Sequence, residues 1–254
     1  MPTPRQPAAL AASILANLLV LGVLAYAALL HSQLPDHYRA AVQEDEYLEW
    51  ATFWAFLGAA AVCGVAAVRQ RRAAGGVPWF LAGLGFFCFL FAMEEISWAQ
   101  RILAYRPPVY FLEHNFQQEP NLHNVIGTGL RKLVLKAIIG GYGVLLPALA
   151  LLPPARRILE RLGVVAPPAA LIPSFAAALY LYVDYPWDYS GEIVELMLGL
   201  GFLFAALAGP RAAATDRGTL LVQERPWRLA LAWLLALGLG WATAAAARNQ
   251  RAAW

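Results

Sequence analysis

The chain has 254 residues, of which 60% are hydrophobic and only 14% charged, with a mean hydropathy of +0.54. Its apolar stretches exceed what a soluble core of this size needs, which excludes an ordinary soluble domain. The net charge of +3 calls for no nucleic-acid partner, because the arginines are placed for membrane topology.

Seven windows reach spanning length: Ala8–Leu30, Tyr47–Val68, Trp79–Gln100, Leu133–Leu152, Val164–Val183, Tyr189–Ala208 and Trp227–Ala246. They fill nearly the whole chain, so residues 1–254 read as one all-α polytopic transmembrane bundle with no soluble domain. The first window is too long for a signal-peptide core and reads as a retained anchor. Cys63 and Cys88 fall inside spans and read as small packing residues.

Arg5, the "RQRR" and "RRILER" strings, and Arg211, Arg217, Arg225 and Arg228 all fall on one side of these windows. The positive-inside rule makes that side cytoplasmic and predicts seven spans, N-in and C-out, with Trp254 outside. Of the acids only Glu160, Asp216 and Glu224 join the arginine side. The rest lie toward the other face, as do His31, His37, His114 and His123. Any chemistry is therefore expected to face outward.

The first outer loop ends in "QEDEYLEW", which sets Glu44, Asp45, Glu46 and Glu49 at the entry of the second span. Acids there suit the helix dipole and need no further role. Glu49 is the deepest of them. The third span then ends in "FFCFLFAMEEISWAQR", placing Glu94 roughly 24 Å along a hydrocarbon layer about 30 Å thick. Two adjacent carboxylates there oppose the helix dipole and cost a few kcal/mol on insertion scales, so they require a partner, a proton or a cavity. Arg101 follows Glu94 by seven residues and would share its face if the helix continued, as an anion-binding group.

The long outer loop, residues 101–132, carries "YFLEHNFQQEPNLHN". A connection of this length is usually functional or disordered, and its aromatic residues argue against disorder. His114–Asn115 recurs as His123–Asn124, a pairing suited to acid–base work or metal ligation. The spacing matches no zinc signature. Farther on, "YVDYPWDYSGEIVELM" sets Asp188, Glu192 and Glu195 along one helical face entering the sixth span. Prolines in the fourth and fifth windows predict bent helices.

The strings "EEISWAQR" and "NFQQEPNLHN" resemble a signature of an uncharacterised family of bacterial polytopic membrane proteins, in which EEISWGQR precedes a loop ending in NLHN. The match covers Glu94, Glu95, Ile96, Ser97, Trp98, Gln100 and Arg101, then Gln118, Glu119 and residues 121–124. Ala99 stands where that family has glycine, expected to be a mild change in a helix. The resemblance implies a bacterial inner membrane but brings no activity. The EExxxR pattern of intramembrane CAAX proteases is not met, because Arg101 lies two positions late. The GxSxG elbow is absent as well.

The functional expectation is an outward-facing membrane hydrolase or transferase acting on a lipid or lipid-linked substrate. Glu94, Glu95, His114 and His123 are the candidate catalytic residues, and the same four are candidate ligands for a divalent metal. Arg101, Asn124, Trp98 and Glu49 are the candidate substrate-binding residues. The alternatives are an accessory or scaffold subunit with membrane-protein partners, and a proton-coupled transporter.

Overall fold

Proline and glycine punctuate the apolar runs, and helices fill what lies between. The computed structural model describes residues 5–115, 117–122, 124–209, 220–222 and 224–251, and all of its regular structure is helical. The elements are α1 (Arg5–Gln33), α2 (Pro35–Ala41), α3 (Tyr47–Ala74), α4 (Trp79–Glu95), α5 (Gln100–Leu103), α6 (Val109–His114), α7 (Thr128–Ile138), α8 (Leu146–Ala150), α9 (Pro153–Arg161), α10 (Ile172–Asp184), α11 (Ser190–Ala208) and α12 (Pro226–Arg251). A π-helical segment, Ile139–Leu145, joins α7 to α8. Short 3-10 turns cover Ser97–Ala99 and Ala169–Leu171.

Among the described residues, five helical runs are long and apolar enough to cross a membrane: Pro7–Gln33, Tyr47–Ala73, Thr128–Ala150, Ser190–Ala208 and Pro226–Arg248. Two expected spans come out shorter. The third window is helical only to Glu95, giving 17 residues. The fifth is extended through Pro167 and Pro168, so its apolar helix is confined to Ala169–Asp184. Proline biases the residue before it away from helix, and the pair acts together here.

At the centre stands α3, packed along α4, α11 and α12. Enclosed by its neighbours, α11 is buried from Leu196 through Phe204 on every face. Small residues let these helices approach closely. Ala12, Ala16, Val20, Val23 and Ala27 form the buried seam of α1. Gly240 of α12 lies against the backbone of Ala51, and Gly85 of α4 against Cys63. Both cysteines are buried and unpaired, as packing residues would be.

The π segment has a local cause. Pro147 has no N–H to offer the carbonyl of Gly143, and its ring would press on that carbonyl in a regular helix. The wider turn relieves the conflict and carries the ring of Tyr142 flat against Phe202, with centroids 4.6 Å apart.

Candidate functional site

The two adjacent glutamates part company at the end of α4. Glu94 turns toward the loop. Its Oε1 accepts the indole N–H of Trp98 at 2.8 Å, and its Oε2 accepts the backbone N–H of Leu122 at 2.6 Å. Glu95 turns toward the bundle, where the carboxylates of Glu195, Glu192, Glu49 and Glu94 all act on it through space.

Around Glu94 the signature folds into a latch. Ser97 donates its hydroxyl to Glu119 at 2.5 Å, and the Asn121 amide donates to the same carboxylate at 2.9 Å and to the Ser97 oxygen at 3.0 Å. Asn115 donates to the Asn121 side-chain oxygen at 2.8 Å and to the Glu119 carbonyl at 2.6 Å. Asn115, Glu119 and Asn121 are all buried. Gln117 extends the net, donating to Glu44 in the connection before α3 and accepting from Asn124. Asn124 in turn accepts from Arg131 at 3.4 Å. Buried polar groups fully engaged in this way rigidify a segment.

The chain reaches the latch through a left-handed turn. Ser97, Trp98 and Ala99 have φ of 46°, 55° and 61° in succession. Left-handed backbone costs an ordinary residue roughly 1–2 kcal/mol, and glycine almost nothing. The expectation of a mild helical change at Ala99 is therefore corrected: the position is not helical, and glycine is the residue that suits it. The same break removes Arg101 from the face of Glu94, because α4 stops at Glu95. The side chain of Arg101 lies outside the described residues, as does His123.

The Glu95 cluster is assembled from three helices by helical spacings of four and seven residues. Glu49 precedes Phe56 by seven residues on α3, Glu95 follows Phe91 by four on α4, and Glu195 precedes Phe202 by seven on α11. Each acid thus shares a helical face with a phenylalanine one or two turns deeper. Those rings touch: Phe56 meets Phe91 at 5.2 Å and Phe202 at 5.8 Å, and Phe87 meets Phe91 at 4.7 Å. Tyr142 and Phe175 continue the layer beside Phe202. Along these helices the carboxylates stand one or two turns above this aromatic layer.

Two cations of α7 lie near the cluster. Arg131 of α7 acts electrostatically on Glu195, and the Lys132 ammonium sits 5.7 Å from the centre of the Tyr185 ring. Burial pushes the Tyr185 phenol above its ordinary range, and the nearby Glu192, Glu195 and Asp188 add to the effect. Glu49 also reaches back to accept the backbone N–H of Asp45, as an acid in the first turn of a helix does. Glu46 pairs with Arg248 across to α12.

Of the described histidines, His31 and His114 engage aromatic neighbours. His114 is exposed, stacked on Tyr110 at 4.5 Å, with Nδ1 donating to the Tyr110 carbonyl at 2.9 Å. His31 stacks on Trp187 at 5.1 Å and meets Tyr38 edge-on at 5.2 Å. Among the described residues no group of three His, Cys, Asp or Glu is arranged to hold a metal ion. The donor set expected for a divalent metal is therefore not assembled by the described part of the site.

Sequence reasoning placed Glu195 on a helical face with Asp188 and Glu192 but gave it no role, and it missed Arg131, the part played by Ser97 and the aromatic layer. The acid–phenylalanine spacing on three helices was the signal that could have found the cluster. No protein-family model, curated protein or solved structure matches the chain.

Proposed function

We propose that this protein is an outward-facing, multi-pass enzyme of the bacterial inner membrane, a hydrolase or transferase acting on a lipid or lipid-linked substrate. The observation that carries the reading is the convergence of Glu49, Glu95, Glu192 and Glu195 from three helices above a packed aromatic layer. Like charges so placed cost free energy, and packing a helix bundle does not require them. Glu95 and Glu195 take the acid and base roles in proton transfer to and from the substrate. Arg131 and Lys132, at the rim, offset the negative charge and hold an anionic group such as a lipid phosphate. The latch keeps the long loop seated over the site. In this reading the short helices α4 and α10 cross with their neighbours, giving seven spans with the N-terminus inside.

The aromatic floor weighs against a transporter, because a permeation path would continue polar beyond Phe56, Phe91 and Phe202. The accessory or scaffold reading has one observation in its favour. Apart from Glu95, most of the signature residues described serve to latch the loop, which is work for a structural part.

The deciding experiment compares membranes of cells expressing wild type, Glu95→Gln and Glu195→Gln by lipid mass spectrometry, with thermal stability measured on the same purified variants. The enzyme reading expects a lipid or lipid-linked species altered by wild type and unaltered by both variants, while stability is kept or raised. Identical lipid profiles from all three folded proteins would move the assignment to the scaffold.

A further inference from the structure

The opposite end of the bundle carries a second feature, independent of the acid cluster. Between α8 and α10 the chain does not simply turn but lays down α9, whose sequence is PPARRILER. Arg157 and Arg161 are four residues apart and form one exposed stripe. Ile158 and Leu162, one position on, form an adjacent stripe that is 56% and 55% exposed. A charged row alongside an apolar row, at the end of a membrane bundle, is the pattern of a helix lying in the interface plane.

Its position is fixed by a contact. The indole N–H of Trp79, at the start of α4, donates to the carbonyl of Leu162 at 2.8 Å, and Gly163 lies against the same ring. This draws α9 beside the α3–α4 turn, whose approach carries Arg69, Arg71 and Arg72, all exposed. Six arginines thus gather at the two turns, and the only acid in either segment is Glu160. Glu160 is engaged with Arg156 at 3.9 Å, leaving the Arg157–Arg161 stripe beside exposed Trp79, Val77 and Leu152.

We propose that α9 and the end of α3 form a binding surface for anionic phospholipid. Ile158 and Leu162 enter the acyl boundary, and Arg157, Arg161 and the α3 arginines engage the headgroup phosphates. Charge complementarity selects the occupant: apolar residues alone would accept any lipid, whereas arginines at headgroup depth favour a net negative one. Arginine also binds phosphate through two parallel N–H donors.

The test reconstitutes the full chain in nanodiscs of phosphatidylcholine, with and without added phosphatidylglycerol. Lipid retained through detergent exchange is counted by native mass spectrometry, and thermal unfolding is followed in both. Wild type is expected to retain phosphatidylglycerol in preference and to gain stability from it. The Arg157→Gln/Arg161→Gln variant should lose about five-fold in retention per arginine, while Arg157→Lys/Arg161→Lys keeps most of it. Equal retention of the two lipids by wild type, or undiminished preference in the glutamine variant, overturns the proposal. If the glutamine variant does not fold, a salt titration of wild type decides: the preference must fall as salt rises, and a salt-insensitive preference overturns it.

Discussion

Replacing Asn121 with alanine would test the latch at its most connected point. The Asn121 amide donates to the Ser97 oxygen and the Glu119 carboxylate, its oxygen accepts from Asn115, and the residue is 1% exposed. Two neutral bonds are worth about 1 kcal/mol each, and one to a buried carboxylate about 1.5–3. Because the bonds share partners they do not add fully, and about 3 kcal/mol is the expected loss. That loss falls on the loop rather than the helices, whose packing Asn121 does not touch, so the open population of residues 104–127 should rise roughly a hundred-fold. Limited proteolysis and amide exchange in detergent would read this directly, with cleavage in the loop accelerating by that factor while helix protection persists. Unchanged loop cleavage in Asn121→Ala would refute the idea that these residues hold the loop down.

Ala99→Gly should stabilise the protein by about 0.5–1 kcal/mol, a rise of a few degrees in melting temperature, because it relieves one of three left-handed residues. A neutral or destabilising result would mean the turn is not strained. Gly240→Ala should destabilise by more than about 2 kcal/mol, since the new Cβ would lie 2.7 Å from the backbone nitrogen of Ala51, which cannot yield like a side chain. Detergent thermal melts would measure it. Tyr38 donates its hydroxyl to the Asp188 carbonyl at 2.7 Å, and burial pushes its phenol up to about 12. A raised phenol contributes stability that is complete below the unfolded value near 10 and lost as pH climbs toward 12. Tyr38→Phe should therefore flatten the alkaline decline in stability over that window, at a cost near neutral pH of about 1 kcal/mol.

Composition and periodicity made the helical membrane class legible, because hydrophobic runs of spanning length have few other uses. They did not reveal where the third run stops. Nothing in the apolar pattern of residues 79–100 announces that Ser97 will find Glu119, twenty-two residues on, and give up helical geometry to do so. The Glu94–Glu95 pair was legible as costly, yet a 100° rotation between neighbours on a helix sends one into the loop and the other into the bundle. That division depends on tertiary partners. The place of His114 was not legible for a related reason: a polar loop residue beside acids in sequence settles on its own helix against Tyr110.

The aromatic layer under the acids has an electrical consequence. In a membrane, the transmembrane voltage falls mainly across the stretch that excludes water and ions. Phe56, Phe91, Phe202 and Tyr142 pack together within the apolar part of the bundle, and Glu49, Glu95 and Glu195 lie on the far side of that layer from the arginine-rich turns. A full charge carried through the field is worth about 2.3 kcal/mol per 100 mV, but a proton reaching these carboxylates from the open side crosses little of it. With the acids on the outer face, as proposed above, protonation at this cluster should be nearly blind to membrane potential, responding to the pH on that side and not to the energised state of the cell.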